Sequence, residues 1–469
     1  MTADRHPPAG DNPFLVLPLP TLYLRNALPV IAIMMMNGLV TVVDAIFVGA
    51  YVGADALASI TLMFPVFMVM VACASVVGSG SASLLARQLG AGHRAQARAA
   101  FTNSHLLALA IAALLMTAFA IGGRAVADWS ANGHADIATM GWTYMAIVVA
   151  GAPLQFLLSL NGDALRSEGH AGSMAAVGAL VTVANIAFTW WLVAGAGMGV
   201  AGSALGTVLA QLLAFGAVLL FRRRRDTVLR LVRPTREAWR AYTRPVLAIG
   251  VPAGLNFVGI ALTAAVTIHA LRLWQDDHYA LTAAAYGVVT RIQAFAFLPL
   301  LGLGMATQAI VGNNVGAGLW DRARATLRVG LVIALVYGFV LELLLTLARR
   351  QVGALFVTDA AAIDEVARIV PIVYAMFFAS GPAMIVAGFF QAIGDARRSA
   401  VIGLSRVYLF AVPLTYLLPL PLGETGIWLA TPAASAATVS LAAIVFAAWR
   451  SQQAATAIGT PGGVTGPAA

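Results

Sequence analysis

The sequence predicts an all-α integral membrane protein, with twelve transmembrane helices arranged in two pseudo-symmetric six-helix lobes around a central cleft. Three observations support this: the composition, the number of hydrophobic segments and an internal repeat. Apolar residues make up 60% of the 469 residues and charged residues only 10%, with a mean hydropathy of +0.87. A soluble domain carries about 25% charged residues, so the composition excludes an ordinary soluble protein.

The hydrophobic segments are long enough to cross a bilayer, since a spanning helix needs about 20 apolar residues. They cover 22–50, 55–86, 99–121, 137–160, 171–194, 199–221, 245–271, 280–311, 326–348, 366–392, 399–421 and 425–449. Several are longer than one crossing requires, which predicts tilt or extension beyond the bilayer. Prolines in or near these segments predict bends, because neighbouring helices can satisfy the freed carbonyls.

The distribution of arginine predicts the orientation. All 28 basic residues are Arg. If the N-terminus is cytoplasmic, 22 of them face inward, Arg406 included, and five face outward, with Arg291 left inside a span. The positive-inside rule therefore predicts cytoplasmic termini in the inner (plasma) membrane. The run at 222–225 is interpreted as a topological determinant that also touches anionic lipid; RNA binding is the weaker alternative, and no nucleic-acid partner is expected.

An internal repeat divides the chain into halves. LGAGHRAQARAA (89–100) matches VGAGLWDRARAT (315–326), LRSEGH (165–170) matches FQAIGD (390–395), and GVAGSA (199–204) matches GETGIW (423–428). An even number of spans per repeat gives both halves one orientation, as in transporters with a site between two lobes. The predicted organisation is an N-terminal cytoplasmic tail (1–20), an N-lobe (21–221), a basic cytoplasmic linker (222–244), a C-lobe (245–449) and a flexible C-terminal tail (450–469).

Polar residues in the N-terminal half indicate a candidate site. Asp44 is an acid within the first span, and intramembrane acids are costly unless paired, hydrated or protonated, so they tend to mark ion or proton pathways. Helical spacing places further polar residues on single faces of three spans: Asn37 and Thr41 with Asp44, Thr182 with Asn185 and Thr189, and Ser203 with Thr207 and Gln211. The alternative for each hydroxyl is ordinary interhelical hydrogen bonding.

The C-terminal half is built differently. Its spans contain Arg291 and Glu342, both in the outer half of the bilayer by their position in the sequence. These residues are either a structural ion pair or contacts to a substrate.

Signatures of other classes are missing from the sequence. There is no P-loop motif for nucleotide phosphates, and the seven His and single Cys show no metal-ligand spacing. We therefore expect a protein that is not an enzyme, has no cofactor and binds no structural metal. Its expected partners are a small-molecule substrate and the lipid bilayer, and we expect a monomer.

Seven motifs in order across both halves resemble one family. They are VVDAIFVGAYVGADALA (42–58), GAGHRAQA (90–97), LRSEGH (165–170), RPVLAIGVPAGL (244–255), VGNNVGAG (311–318), FQAIGD (390–395) and GETGIWLATPAA (423–434). This pattern resembles the multidrug and toxic compound extrusion (MATE) transporters, and within them the prokaryotic DinF-like branch.

The resemblance implies antiport, in which H⁺ or Na⁺ enters while an amphipathic, often cationic, compound leaves by alternating access. It also implies a coupling site formed by Asp44, Asn185 and Thr207, to which we add the nearby Thr189. In DinF-like members a second acid follows the fifth-span Asn, whereas this chain has Thr189. One carboxylate supplies less charge for a metal ion, so the departure favours H⁺ over Na⁺.

Three alternatives stay open from the sequence. A lipid-linked oligosaccharide flippase of the same superfamily would often have extra spans and a cationic cavity. A membrane enzyme acting on lipids would need a catalytic constellation near the interface, and a passive channel would show subunit symmetry instead of a two-lobed repeat.

Overall fold

The computed structural model describes residues 12–225, 227–274 and 279–458, and the regular structure in these ranges is helical. The described chain divides into two compact units, Met1–Val258 and Gly259–Ala469. The predicted lobe and linker limits remain a prediction. Parts of both predicted tails (1–11 and 459–469) lie outside the described residues, whereas 12–20 and 450–458 are largely helical.

Among its described residues, the first unit contains nine complete helices and the beginning of a tenth. Their bounds are α1 (Pro13–Val16), α2 (Leu19–Tyr51), α3 (Ala54–Leu62), α4 (Phe64–Gly90), α5 (Arg94–Ser130), α6 (Ala135–Ala150), α7 (Ala152–Ser167), α8 (Ala171–Trp190), α9 (Gly199–Arg224) and α10 (Arg236–Trp274). A π-helical turn, Trp191–Gly195, extends α8.

The second unit begins within α10, and its described residues form nine more helices. They are α11 (Tyr279–Gly316), α12 (Trp320–Leu347), α13 (Arg349–Ala354), α14 (Ala360–Val373), α15 (Phe377–Ile393), α16 (Ala396–Leu404), α17 (Val412–Leu417), α18 (Pro419–Leu422) and α19 (Glu424–Ile458). A π-helical segment, Ser405–Ala411, joins α16 to α17.

The predicted twelve spans are confirmed. In the described ranges, ten helical stretches are long and apolar enough to cross a membrane, and two bent helix pairs supply the other two spans. The first pair, α6 and α7, meets at 49°, and the second, α14 and α15, at 50°. Gly151 separates the first pair and Pro153 lies in the first turn of α7, where its missing N–H removes no helical hydrogen bond.

Glycines allow close helix packing in the first unit. A Cβ at Gly80 of α4 would lie 2.1 Å from the carbonyl oxygen of Val246 in α10, and one at Gly250 would lie 1.8 Å from that of Val76. Only glycine fits at such a crossing. Small residues have this role in membranes because association there depends on van der Waals contact and not on burial of apolar surface from water.

The segment after α9 is fixed to the first unit by a buried ion pair. Arg222 Nη1 donates to Glu168 Oε2 at 3.0 Å and to the carbonyl oxygen of Leu229 at 3.0 Å, and the amide of Leu229 donates to Glu168 Oε1 at 2.8 Å. The Glu168 side chain is 2% exposed and that of Arg222 10%. Arg222 also donates to Asn161 Oδ1 at 3.0 Å and lies over the Phe101 ring. The start of the predicted basic linker is therefore docked against α5 and α7.

The sequence repeat reappears as matched backbone conformations. Gly92 and Gly318 have φ of 74° and 77°. Gly169 and Gly394 both have φ of 89°, and Gly199 and Gly423 have 57° and 58°. Each pair occupies the same position in its matched motif, and glycine populates this left-handed region without a steric penalty. Each pair of matched glycines therefore has a nearly equal, positive φ.

Candidate functional site

The candidate site lies in the first unit, where α8 packs against α2 and α9. Two glycines permit this packing. A Cβ at Gly206 of α9 would lie 2.7 Å from Thr189 Oγ1 and 2.8 Å from its backbone nitrogen, and one at Gly178 of α8 would lie 2.9 Å from Ile33 in α2. The polar side chains of three helices are thereby drawn into a narrow space.

Hydrogen bonds and contacts connect the four predicted coupling residues. Asn185 Nδ2 donates to Thr207 Oγ1 at 2.9 Å, and Thr207 Oγ1 donates to the carbonyl oxygen of Ser203 at 3.3 Å. The hydroxyl of Thr189 lies beside the Asp44 carboxyl group. Asn185 and Thr189 are 3% and 0% exposed, and they are one helical turn apart on α8. The contacts therefore join α2 to α8 and α8 to α9.

Three oxygens of this cluster are buried without a hydrogen-bond partner: Asp44 Oδ1, Asn185 Oδ1 and Thr189 Oγ1. Although the Thr189 hydroxyl is close to the carboxyl group, neither of these two oxygens makes a hydrogen bond of full geometry. Buried polar atoms are nearly always paired, so unpaired ones need an explanation. Three buried oxygens with one formal negative charge are chemically able to accept a cation, either a proton at the carboxylate or a small metal ion.

Tyr144 is a member of the site that the sequence interpretation missed. It lies on α6, close enough to Asp44 for an electrostatic interaction between the two side chains. Its span has no polar stripe, because the nearby sequence WTYMAIVV carries few polar groups. An isolated tyrosine in an apolar run is a weak signal, and only the packing of α6 identifies it.

The remaining sequence candidates lie outside this network. Asn37 and Thr41 are exposed on α2, where Thr41 Oγ1 donates to the carbonyl oxygen of Asn37 at 3.2 Å. Thr182 donates to the carbonyl oxygen of Gly178 at 3.1 Å, within α8. Gln211 is half-buried on α9, one turn beyond Thr207.

The two charged candidates of the second unit do not form an ion pair. Glu342 Oε2 accepts a hydrogen bond from the backbone amide of Phe378 at 3.2 Å. Arg291 is exposed on α11. The carboxylate therefore caps a backbone N–H near the start of α15 instead of neutralising the arginine.

Twelve membrane spans and a polar cluster within the membrane are typical features of membrane transporters. The MatE family model matches residues 29–191 and 259–417. The chain therefore belongs to the MATE family, whose members are transporters and not enzymes.

Curated relatives match over most of their length. The chain is 25% identical over 439 residues to the "Probable multidrug resistance protein YoeA" of Bacillus subtilis (strain 168), covering 90% of this chain and 93% of that protein. It is 27% identical over 426 residues to the "FAD transporter" of Shewanella oneidensis, covering 89% and 92%. It is also 23% identical over 431 residues to the "Multidrug export protein MepA" of Staphylococcus aureus (strain NCTC 8325 / PS 47), covering 90% and 92%.

Solved structures share the fold. An outward-facing multidrug resistance MATE family transporter of the MOP superfamily matches with a TM-score of 0.85 at 21% identity, covering 95% of this chain and 98% of its own. A MATE structure described as the straight conformation matches with a TM-score of 0.84 at 22% identity, again covering 95% and 98%. One described as the bent conformation gives 0.82 at 21% identity, covering 93% and 96%.

Proposed function

We propose that this chain is a cation-coupled antiporter that exports amphipathic or cationic organic compounds by alternating access, with H⁺ as the favoured coupling ion and Na⁺ as the second candidate. We place it as a monomer in the inner membrane with both termini in the cytoplasm. The observation that carries the proposal is the half-buried carboxyl group of Asp44, whose Oδ1 is buried beside Thr189, next to the Asn185–Thr207 pair. The names of the relatives, which include drug exporters and a transporter of FAD, support an organic cargo.

Asp44 is the group that would carry the proton. A charged carboxylate in a membrane interior is costly, and binding a proton removes that charge without any change of neighbours. The Thr189 hydroxyl can accept from the protonated acid or donate to the carboxylate, because a hydroxyl both donates and accepts. The site can therefore accommodate Asp44 in either its protonated or its charged state.

Charge favours the proton over sodium. A dehydrated metal ion needs several oxygen ligands and compensation of its charge. Here the compensation comes from Asp44 alone, and Thr189, Asn185 and Thr207 contribute neutral groups. Protonation needs only the carboxylate.

Coupling requires that the two charge states of Asp44 favour different conformations, since a ligand shifts an equilibrium only through differential affinity. The helix that carries Asp44 also contains Pro29 and packs against α8 beside Gly178. Losing the charge at Asp44 would change its attraction for the Thr189 hydroxyl and so the packing of α2 against α8. Release of cargo would then depend on proton uptake.

The test is dye efflux from proteoliposomes under an imposed pH gradient or an imposed Na⁺ gradient. Asp44→Asn should reduce efflux driven by the pH gradient to the level of protein-free liposomes. Asp55→Asn is the matched control, because Asp55 is an exposed acid on α3, and it should retain wild-type efflux. Wild-type efflux that needs no pH gradient and rises with external Na⁺ would overturn the assignment to protons.

A further inference from the structure

Arg406 lies inside a membrane span, although the sequence interpretation placed it with the inward-facing arginines. It follows the first residue of α16, Ala396, by ten positions and lies in the π-helical segment Ser405–Ala411. At 1.5 Å per residue, this is about 15 Å from the start of the helix. An arginine at such a depth must face protein or a water-filled space.

The guanidinium of Arg406 has an aromatic neighbour but no acid. Its Cζ atom lies 4.7 Å from the centroid of the Phe297 ring. The described acids of the second unit are engaged elsewhere. Those in ion pairs are Asp321, Asp364, Glu365, Asp395 and Glu424, whereas Glu342 and Asp359 accept from backbone amides. The charge of Arg406 is therefore not neutralised within the described part of this unit.

An aromatic row continues from this arginine. The rings of Phe297 and Phe377 are 5.3 Å apart, and those of Phe377 and Tyr374 are 5.5 Å apart. Phe377 and Tyr374 are buried, whereas Phe297 and Arg406 are only half-buried. The surface left accessible is thus a guanidinium beside the edge or face of one aromatic ring.

The backbone at this point is irregular and held in place. A π-helical segment occurs most often as a single-turn bulge, frequently at a functional site. A Cβ at Gly259 of α10 would lie 3.0 Å from Val407 Cγ1, so α10 packs closely on the residue next to Arg406. The segment that presents the guanidinium is therefore positioned by its neighbours within the second unit.

We propose that Arg406 and Phe297 bind aromatic anions, compounds that carry a carboxylate or phosphate beside an aromatic ring. The inference rests on the proposed export function and names a substrate class for it. A guanidinium binds carboxylate and phosphate oxygens through two parallel N–H donors, and a ligand ring can stack offset or edge-on against Phe297. The resemblance to drug exporters implies cargo that is often cationic, whereas the charge on this surface selects the opposite sign.

The test uses carboxyfluorescein as the anionic aromatic probe and ethidium as the cationic one. Equilibrium binding is measured on protein in nanodiscs with no ion gradient, and efflux is measured separately in proteoliposomes. Arg406→Met should weaken carboxyfluorescein binding about tenfold or more, the loss expected for a charged hydrogen-bonded contact, and leave ethidium binding unchanged. Arg406→Lys should give an intermediate loss, because it keeps the charge but not the two parallel donors.

Two further variants complete the design. Arg397→Met is the matched control, an exposed arginine one residue into α16, and it should bind both probes as the wild type does. Phe297→Leu removes the ring without touching the charge and should also weaken carboxyfluorescein binding. It keeps the test informative if Arg406→Met does not fold.

Three results would overturn the inference: wild-type protein that does not bind carboxyfluorescein, equal carboxyfluorescein binding by wild type and Arg406→Met, or equal loss of both probes in a folded Arg406→Met protein. The proposed transport function fails separately. That function is contradicted if the wild-type protein binds the probes but does not export them under either gradient.

Discussion

Thr189 occupies the position at which the resemblance to the DinF-like branch implies a second acid. Its hydroxyl lies beside Asp44, and the Asn185–Thr207 hydrogen bond joins the same helix to α9. The surroundings of this position are therefore suited to a polar side chain. A single substitution at Thr189 can therefore change the number of carboxylates in the cluster.

Thr189→Asp should increase the dependence of efflux on Na⁺. The second carboxylate adds the charge and the oxygen ligands that a metal ion needs. The measurement is initial efflux rate against Na⁺ concentration at fixed pH, for the wild type and the variant. Thr182→Asp is the control, since it puts the same acid two turns earlier on α8. The idea fails if both variants respond to Na⁺ identically.

The site residues that the sequence could predict are those that share a helical periodicity with other polar residues. Spacing placed Asp44, Asn185, Thr189 and Thr207 on polar helix faces, and the family resemblance selected these four from the other polar residues on those faces. The structure connects them in pairs across three helices. Tyr144 could not be found in this way, because a single tyrosine in an apolar run carries no periodic signal. The contact of Arg406 with Phe297 depends on how the π-helical segment Ser405–Ala411 lies against α11, which spacing within one helix cannot show.

Helix α9 approaches α8 closely because of one glycine. The space at Gly206 is filled by both the hydroxyl and the backbone nitrogen of Thr189. A flexible side chain could move aside, but a backbone atom cannot do so without moving its helix. The distance between these two helices is therefore set at Gly206.

Gly206→Ala should destabilise the protein by about 1–3 kcal/mol, the usual cost of overpacking, and lower coupled efflux by separating Asn185 from Thr207. Thermal unfolding in nanodiscs and proteoliposome efflux measure the two effects. Gly216→Ala on the same helix is the control, because nothing lies within 4 Å of a Cβ there. It should leave both measurements unchanged or raise stability slightly.

The buried ion pair between Glu168 and Arg222, which fixes the start of the linker, can be tested in the same way. Glu168→Gln should leave the buried Arg222 guanidinium without its counter-charge, and breaking a buried pair in this way costs about 3–5 kcal/mol. The midpoint of thermal unfolding should fall clearly. Asp321→Asn is the control, because its partner Arg324 is 45% exposed and Asp321 is 99% exposed, so water screens the pair. An equal midpoint for both variants would show that the linker contact contributes nothing to stability.

The helices themselves were largely predictable, since twelve hydrophobic segments correspond to the twelve spans. The bend between α6 and α7 lies beside Pro153, as the prolines predicted, whereas the break between α14 and α15 falls at 374–376, where the sequence has no proline. The π-helical segments could not be predicted, because a one-residue widening leaves no clear mark on hydropathy.

On the scale of the whole molecule, the arginine distribution is the basis for the proposed orientation. Arg223 lies in the last turn of α9, and Arg349 begins α13; both are exposed. The positive-inside rule places these positions on opposite sides of the membrane.

In a Cys73→Ser background, Arg349→Cys should react with a membrane-impermeant maleimide added to intact cells, whereas Arg223→Cys should react only after the membrane is opened. Labelling of both cysteines from outside, or the reverse pattern, would contradict the proposed topology. Dye efflux by each variant confirms that the labelled protein is folded.

The matched left-handed glycines have a consequence for how the chain tolerates mutation. Any other residue at Gly92, Gly169 or Gly199, or at their partners Gly318, Gly394 and Gly423, meets the same backbone strain in both halves. A saturation scan should therefore show paired positions of low tolerance separated by 224 to 226 residues. Between these glycines, the side chains on the helix faces of the two halves can differ. Substrate preference can therefore evolve there while the matched glycines are retained.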